Sequence, residues 1–442
     1  MQHISVVHQE TATKRGQFTK LIFIVAILAI VASLIGPLKI SLGFGKVVLL
    51  PMVWAMILGA VVGIVGTRQQ WFGRFDAELQ FKAGALLQPA LLMFTAKLGL
   101  MVGYSLPKVV HAGWALAFQE FGHFLGTILV GLPLALVLGI KREAIGATFS
   151  VGREPSLAII GDRYGMNSPE GCGVLAEYLT GTIFGAVFIA LFAGFVTSLG
   201  ILDPVALAMG AGVGSGSMMA AASGAIAALQ TPEVAKQVAT FAAASNLITS
   251  TLGVYFTLFI SLPCAVRLYE FLEPKIGRAT KASGAASSRV AVEKIEEGTY
   301  SLLEKWVTWL MVGAVAITCN AILTGTNALG SVPCMLVILV VLAVSNGIVK
   351  IIGGRLPAVC IVSLVAMALT SPWCPWAQTI NAMSSHLDFL SVTPPMLALA
   401  GLSIAKDIPA FRKLGWRIVL VSFVANAGSF LVASLVAQFF HH

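Results

Sequence analysis

The chain has 442 residues, 57% of them hydrophobic and only 11% charged, and a mean hydropathy of +0.91. That balance excludes a soluble globular protein, and the repeated apolar runs of roughly 18–30 residues fit helices that cross a hydrocarbon core of about 30 Å. The formal net charge of +9 does not point to nucleic acid, because lysines and arginines gather in short loops at the ends of apolar runs, as positive-inside topology requires.

In chain order, residues 1–19 are polar and read as a cytoplasmic tail. Apolar spans are expected at about 20–43, 46–66, 84–105 and 112–140. The first is too long for a signal-peptide core and reads as a retained helix. A broken apolar stretch at 143–165 precedes a long helix at 170–200, and a second at 205–229 precedes a long helix at 235–266. Residues 267–300 read as a basic linker carrying Arg267, Lys275, Arg278, Lys281, Arg289 and Lys294. Five further spans are expected at about 302–325, 328–353, 356–373, 390–405 and 413–440. The stretch 374–389, with His386 and Asp388, has no assignment. The six cysteines lie in or near apolar runs without metal spacing and read as small core residues.

Two internal repeats organise these elements. Laying 96–130 over 398–432 without gaps matches Gly99 with Gly401, Pro107 with Pro409, Gly113-Trp114 with Gly415-Trp416, and Gly126 with Gly428. In the middle, VGREPSLA (151–158) aligns with VGSGSMMA (213–220). Each is followed by a helix-start signal, Ser168-Pro169-Glu170 and Thr231-Pro232-Glu233.

Parity gives the repeats a meaning. If each broken stretch enters and leaves on one side, the two stretch-plus-helix units are inverted, and the basic linker and the late basic loop fall on the N-terminal side. The expected fold is an all-α polytopic membrane protein with about eleven transmembrane helices, two re-entrant hairpins and inverted repeats, a pattern of secondary transporters. Its parts are scaffold helices at 20–140, a transport domain at 143–266 with hairpins at 143–165 and 205–229, a cytoplasmic linker at 267–300, and second-repeat helices at 301–442.

The charges of SVGREPSLAIIGDRYG then acquire a role. A hairpin tip presents free N–H groups and a positive helix end, which suit an anion. Gly152, Arg153, Glu154 and Ser156 are expected to form one half of a substrate site, with Arg153 as a planar fork of donors for a carboxylate. Gly214, Ser215, Gly216 and Ser217 at the opposing tip, with Asn246, would form the other half. Arg153-Glu154 read equally well as an internal or loop ion pair, and the glycine run as close helix packing.

Glu120 and His123 lie one helical turn apart in mid-span, where a charge is costly and usually functional. Glu177 aligns with Ser245, and SNLITST offers Ser245, Asn246 and Thr249 as oxygen ligands. Glu120, His123, Glu177, Ser245 and Thr249 are therefore the candidate ion-coupling residues, for sodium or a proton. A Glu–His pair locking two helices is the bland alternative. Lys97 has two readings, a snorkelling side chain or a partner of Glu120.

No Walker A, HExxH, GxSxG or paired CxxC motif occurs, so no nucleotide or metal cofactor is expected and an enzyme is disfavoured. The runner-up readings are a membrane-embedded hydrolase using Glu120, His123 and Glu154, and a passive channel.

SVGREPSLAIIGDRYGMNSPEG, GVGSGSMMAAASG and FAAASNLITS resemble the bacterial inner-membrane family catalogued as domain of unknown function 3100, over most of the chain. That resemblance implies a multi-pass protein of the bacterial cytoplasmic membrane, here with its N-terminus inside, and names no substrate. The hairpin architecture is also similar to elevator-type carriers for glutamate, citrate and other hydroxycarboxylates. This second likeness implies a homodimeric scaffold and a moving domain. The expected function is secondary active transport of a small organic anion, a carboxylate or an acidic or acylated amino acid.

Overall fold

The computed structural model describes residues 2–41, 46–68, 77–111, 113–151, 154–165, 168–212, 214–251, 253–278, 300–353, 358–412 and 415–441. α1 (Gln2–Ile35) is followed by two short antiparallel strands, β1 (Leu38–Ser41) and β2 (Lys46–Leu49), with Leu38 opposite Leu49. The expected first span of 20–43 therefore stops early. Gly36 takes the left-handed conformation that ends a helix, and Pro37 cannot continue it. The tail is helical from Gln2 onward, continuous with the span.

α2 (Pro51–Arg68), α3 (Ala77–Tyr104) and the short α4 (Leu106–His111) follow. α5 (Gly113–Gly126) runs through a π-helical turn, Thr127–Gly131, into α6 (Leu132–Val137). The first broken stretch is α7 (Glu143–Thr148) and α8 (Glu154–Tyr164). α9 (Pro169–Thr180) passes through a second π turn, Gly181–Gly185, into α10 (Ala186–Ser198). The second broken stretch is α11 (Pro204–Ala211) and α12 (Gly216–Ala227). α13 (Pro232–Thr251) and α14 (Gly253–Phe256) lead through a third π turn, Thr257–Ser261, to α15 (Leu262–Ile276). The linker expected from 267 thus begins as helix, because the amphipathic run to Ile276 extends the apolar one.

Beyond it lie α16 (Leu302–Thr324), α17 (Val332–Ile352), α18 (Ala358–Thr370), α19 (Ala377–Ser385), α20 (Thr393–Arg412) and α21 (Trp416–His441). α19 occupies the stretch that had no assignment. Among the described residues, eight helices are long and apolar enough to cross a membrane, with shorter apolar helices at Pro51–Gly66, Gly216–Ala227 and Ala358–Thr370. The chain is a polytopic helical membrane protein.

Small residues set the closest helix contacts, as expected where lipid supplies no hydrophobic drive between helices. Gly59 and Gly63 of α2 lie against Ala398 and Leu402 of α20, so these helices run parallel. Gly122 and Gly126 of α5 lie against Ala433 and Gly428 of α21, which run antiparallel. Gly126 and Gly428, matched in the sequence repeat, meet each other: a Cβ on either would strike the other's backbone carbonyl.

These contacts define two ends of the bundle. At one, Lys82 pairs with Glu304 (2.6 Å), Lys141 with Glu273 (2.7 Å) and Arg142 with Glu170 (2.6 Å). At the other, Gly224 lies against Met52 and Leu390, the Asp203 N–H donates to Gln438 Oε1 (2.8 Å), and Phe118 stacks on Phe440. Arg142 precedes α7 and Glu170 opens α9, so this ion pair joins the two flanks of the first broken stretch. Asp203 caps the start of the second stretch, and Gly224 lies in the last turn of its second helix.

Candidate ion and substrate site

Capped helix starts punctuate both broken stretches. Ser168 caps α9, its hydroxyl accepting from the Gly171 N–H at 2.9 Å, with Pro169 at the first helical position. Asp203 caps α11 by accepting from the Val205 N–H at 2.7 Å. Ser215 caps α12, accepting from the Met218 N–H at 3.3 Å, and its hydroxyl lies 3.1 Å from that of Ser217. Gly214 has φ +93°, so the turn between α11 and α12 needs a residue without Cβ.

Backbone carbonyls at such breaks require donors when water is absent. α13 and the third π turn provide them to the two breaks. Ser245 Oγ donates to Met209 O (2.7 Å), and Asn246 Nδ2 donates to Gly212 O (2.7 Å) and Gly214 O (3.4 Å). Further along, at the end of the third π turn, Ser261 Oγ donates to Phe149 O at the first break. The second π turn also meets a break, since Gly185 lies against Met218. Gly131, closing the first π turn, lies against Thr148 and Ala425. π turns recur at functional sites, where the inserted residue re-aims the groups around it.

A buried polar chain crosses the middle of the bundle. Glu120 accepts from Thr249 Oγ1 and, at 3.1 Å, from Gln119 Nε2. Thr249 Oγ1 also lies 3.0 Å from Ser245 O. His123 Nδ1 bonds Ser429 Oγ. One turn away on α21, Asn426 Nδ2 donates to Ser422 O (2.7 Å) and approaches Glu177 Oε1 (3.5 Å). Glu120, His123 and Glu177 are each about 1% exposed. α5, α9, α13 and α21 thus enclose two buried carboxylates, and the Ser245–Asn246–Thr249 face of α13 joins one of them to the second break.

The candidates from sequence divide accordingly. Glu120, Ser245, Asn246 and Thr249 come together around the second break, beside Gly214 and Ser215. His123 and Glu177 reach α21, at Ser429 and Asn426 respectively. Ser156 is buried in the first turn of α8. Gly216 and Ser217 open α12, with Gly216 against Leu91 of α3. Gly152 and Arg153 lie outside the described residues, as does the side chain of Glu154. Lys97 bonds on α19: its ammonium donates to the carbonyl (2.6 Å) and hydroxyl (2.7 Å) of Ser384. Among the described residues no three His, Cys, Asp or Glu side chains group as a metal site. Gln119, Ser261, Asn426 and Ser429 were not singled out from sequence. The signal available for them was their position as polar residues inside apolar runs.

Residues 30–271 match the family described as Protein of unknown function (DUF3100), more than half of the chain. The chain belongs to this family. No curated protein and no solved structure matches it. The matched region contains both broken stretches, Glu120, Glu177 and the donor face of α13. Ser429 and Asn426, on α21, lie beyond it.

Proposed function

We propose that the protein is a secondary active transporter of a small organic anion, driven by a coupled sodium ion or proton, and not an enzyme. One observation carries this reading: Arg142 and Glu170, which flank the first broken stretch, pair with each other, and on this proposal each stretch returns to the end of the bundle it left, the two from opposite ends. Arg142–Glu170 supports this for the first, Asp203–Gln438 and the Gly224 contacts for the second. In this reading 143–165 and 204–227 are re-entrant hairpins of an inverted repeat, whose helix starts at α8 and α12 are turned into the membrane.

A carboxylate suits those positive helix starts, with Arg153 and Ser156 on one tip and Ser215 and Ser217 on the other. The Gly126–Gly428 contact supports a pseudo-twofold relation between α5 and α21, because a residue on such an axis meets its own repeat mate. Elevator-type movement, a dimeric scaffold, and a bacterial cytoplasmic membrane with the basic end inside belong to the same proposal.

The test is thermal unfolding of the purified protein across small carboxylates and acidic or acylated amino acids, with and without sodium, followed by counterflow in liposomes for any stabilising compound. A ligand of the native state raises the midpoint. Arg153→Ala is expected to lose that response. Counterflow that needs a sealed vesicle and a substrate on both sides supports a carrier. Turnover in detergent, or passive flux without exchange, rejects it.

A further inference from the structure

On the carrier reading above, we propose that the coupling ion is a proton carried by Glu120, and that its arrival is passed to the second broken stretch by reversal of the Thr249 hydroxyl. A threonine hydroxyl has one hydrogen to give. Thr249 Oγ1 lies within reach of two acceptors, Glu120 Oε1 and Ser245 O. With Glu120 ionised, the hydroxyl donates to the carboxylate and releases Ser245 O. With Glu120 protonated, the acid donates to Thr249, and Thr249 donates to Ser245 O. The proton enters from water, sits on a carboxylate oxygen, and leaves by the same oxygen when the site faces the other side; no other bond is made or broken.

The next residues along carry the change into the hairpin. Ser245 and Asn246 hold Met209 O, Gly212 O and Gly214 O, the carbonyls on either side of the break. A shift in the turn of α13 between Ser245 and Thr249 therefore acts directly on the donors that brace the tip.

The surroundings favour a proton over sodium. Sodium would need several open oxygen ligands, yet the carbonyls at this break already receive hydroxyl and amide hydrogens, and Gln119 turns its N–H, not its oxygen, to Glu120. The titratable group on the same helix is His123, which faces Ser429. The facing stretches of α11 (204–211), α13 (241–251), α21 (422–437) and the π turn at 257–261 contain no Asp, Glu, His, Lys or Arg. Glu177, on α9, is approached by Asn426 Nδ2 of α21 at 3.5 Å.

The experiment needs no substrate. Infrared spectra of the purified protein across pH read the carbonyl stretch of a protonated carboxyl group, and hydrogen exchange corrected for intrinsic rates reads the amides of 209–218. A band that titrates, is unmoved by sodium and disappears in Glu120→Gln is expected. Exchange at 209–218 should follow the same titration in wild type and Thr249→Ser, and lose its pH dependence in Thr249→Val, which has the same shape without the hydroxyl. The inference is overturned if no band depends on Glu120, if sodium at constant pH replaces the titration, or if Thr249→Val keeps the link. Failure of counterflow leaves these readouts standing. Sodium-driven counterflow that survives Glu120→Gln removes the inference and leaves the carrier.

Discussion

The two broken stretches are anchored in different places. The first is held at its base. Gly146 of α7 and Gly173 of α9 interlock so closely that a Cβ on either would strike the backbone of the other helix. Arg142–Glu170 and Lys141–Glu273 tie the same base to α9 and α15. The second is held at its tip, where Ser245 and Asn246 reach three of its carbonyls. Ser261 reaches Phe149 O at the first break, while the face of α13 that braces the second also carries Thr249, bonded to the buried Glu120 in mid-span. Two units related by sequence pattern are thus braced by different contacts, glycine packing and ion pairs at the base of one and side-chain donors at the break of the other.

Gly173→Val is expected to break this comparison most severely. Its branched side chain would enter the space of Glu143 O, and the helices would have to separate, at a cost of about 3 kcal/mol or more. Thermal unfolding in detergent checks this, and a midpoint equal to wild type would show that the base is not closely packed.

Asn246→Ala attacks the other anchor. It leaves Gly212 O and Gly214 O without their amide donor, at about 1–3 kcal/mol. Exchange of amides at 209–218 should rise while that of 143–148 stays unchanged. Equal loosening of both segments would mean that the stretches are one cooperative unit and that the contrast is false.

Much of this was legible in the residues. Helix after helix follows its apolar run, because a bilayer leaves little alternative to internal hydrogen bonding. Ser168-Pro169 and Thr231-Pro232 mark their helix starts by local chemistry that needs no tertiary partner. The π turns were not legible. Each adds one residue to a turn and changes neither hydropathy nor composition, so Gly131, Gly185 and Ser261 arrive at the breaks unannounced. The partner of Lys97 was also hidden, since Ser384 lies in a stretch with no clear period and 287 residues away. Glu120 was legible as costly, but its link to the break depends on how α5 crosses α13. Asn426 and Ser429 looked like ordinary polar residues of a membrane helix, and Asn426 does bond back to Ser422 O as such residues do.

Arg142→Gln tests the base more gently. Glu170 is buried, with its side chain only 4% exposed, whereas Arg142 is 54% exposed. Losing the arginine leaves a buried carboxylate, but water and the N-terminal end of α9 remain to receive it, so the cost should be about 1–2 kcal/mol. Exchange at 143–148 should rise and that at 209–218 should not, the mirror image of Asn246→Ala. High salt should weaken this contribution in wild type.

Lys141→Met is expected to have the smallest effect, and its pH dependence separates charge from packing. The pair with Glu273 is open to water, with side chains 43% and 32% exposed, so it is screened by salt. Its hydrogen bond to Glu273 raises the lysine above its usual 10.5. The folded protein therefore binds this proton more tightly than the unfolded chain. The stabilisation is complete below the usual lysine range and fades as pH rises through the folded value. Unfolding midpoints of wild type and Lys141→Met should differ slightly at neutral pH and low salt. They should converge in high salt, and again at alkaline pH. A gap that persists under both conditions would mean that Lys141 holds the base by the packing of its stem. The first stretch would then be anchored by apolar and glycine contacts alone, and its ion pairs would be incidental to the contrast with the second.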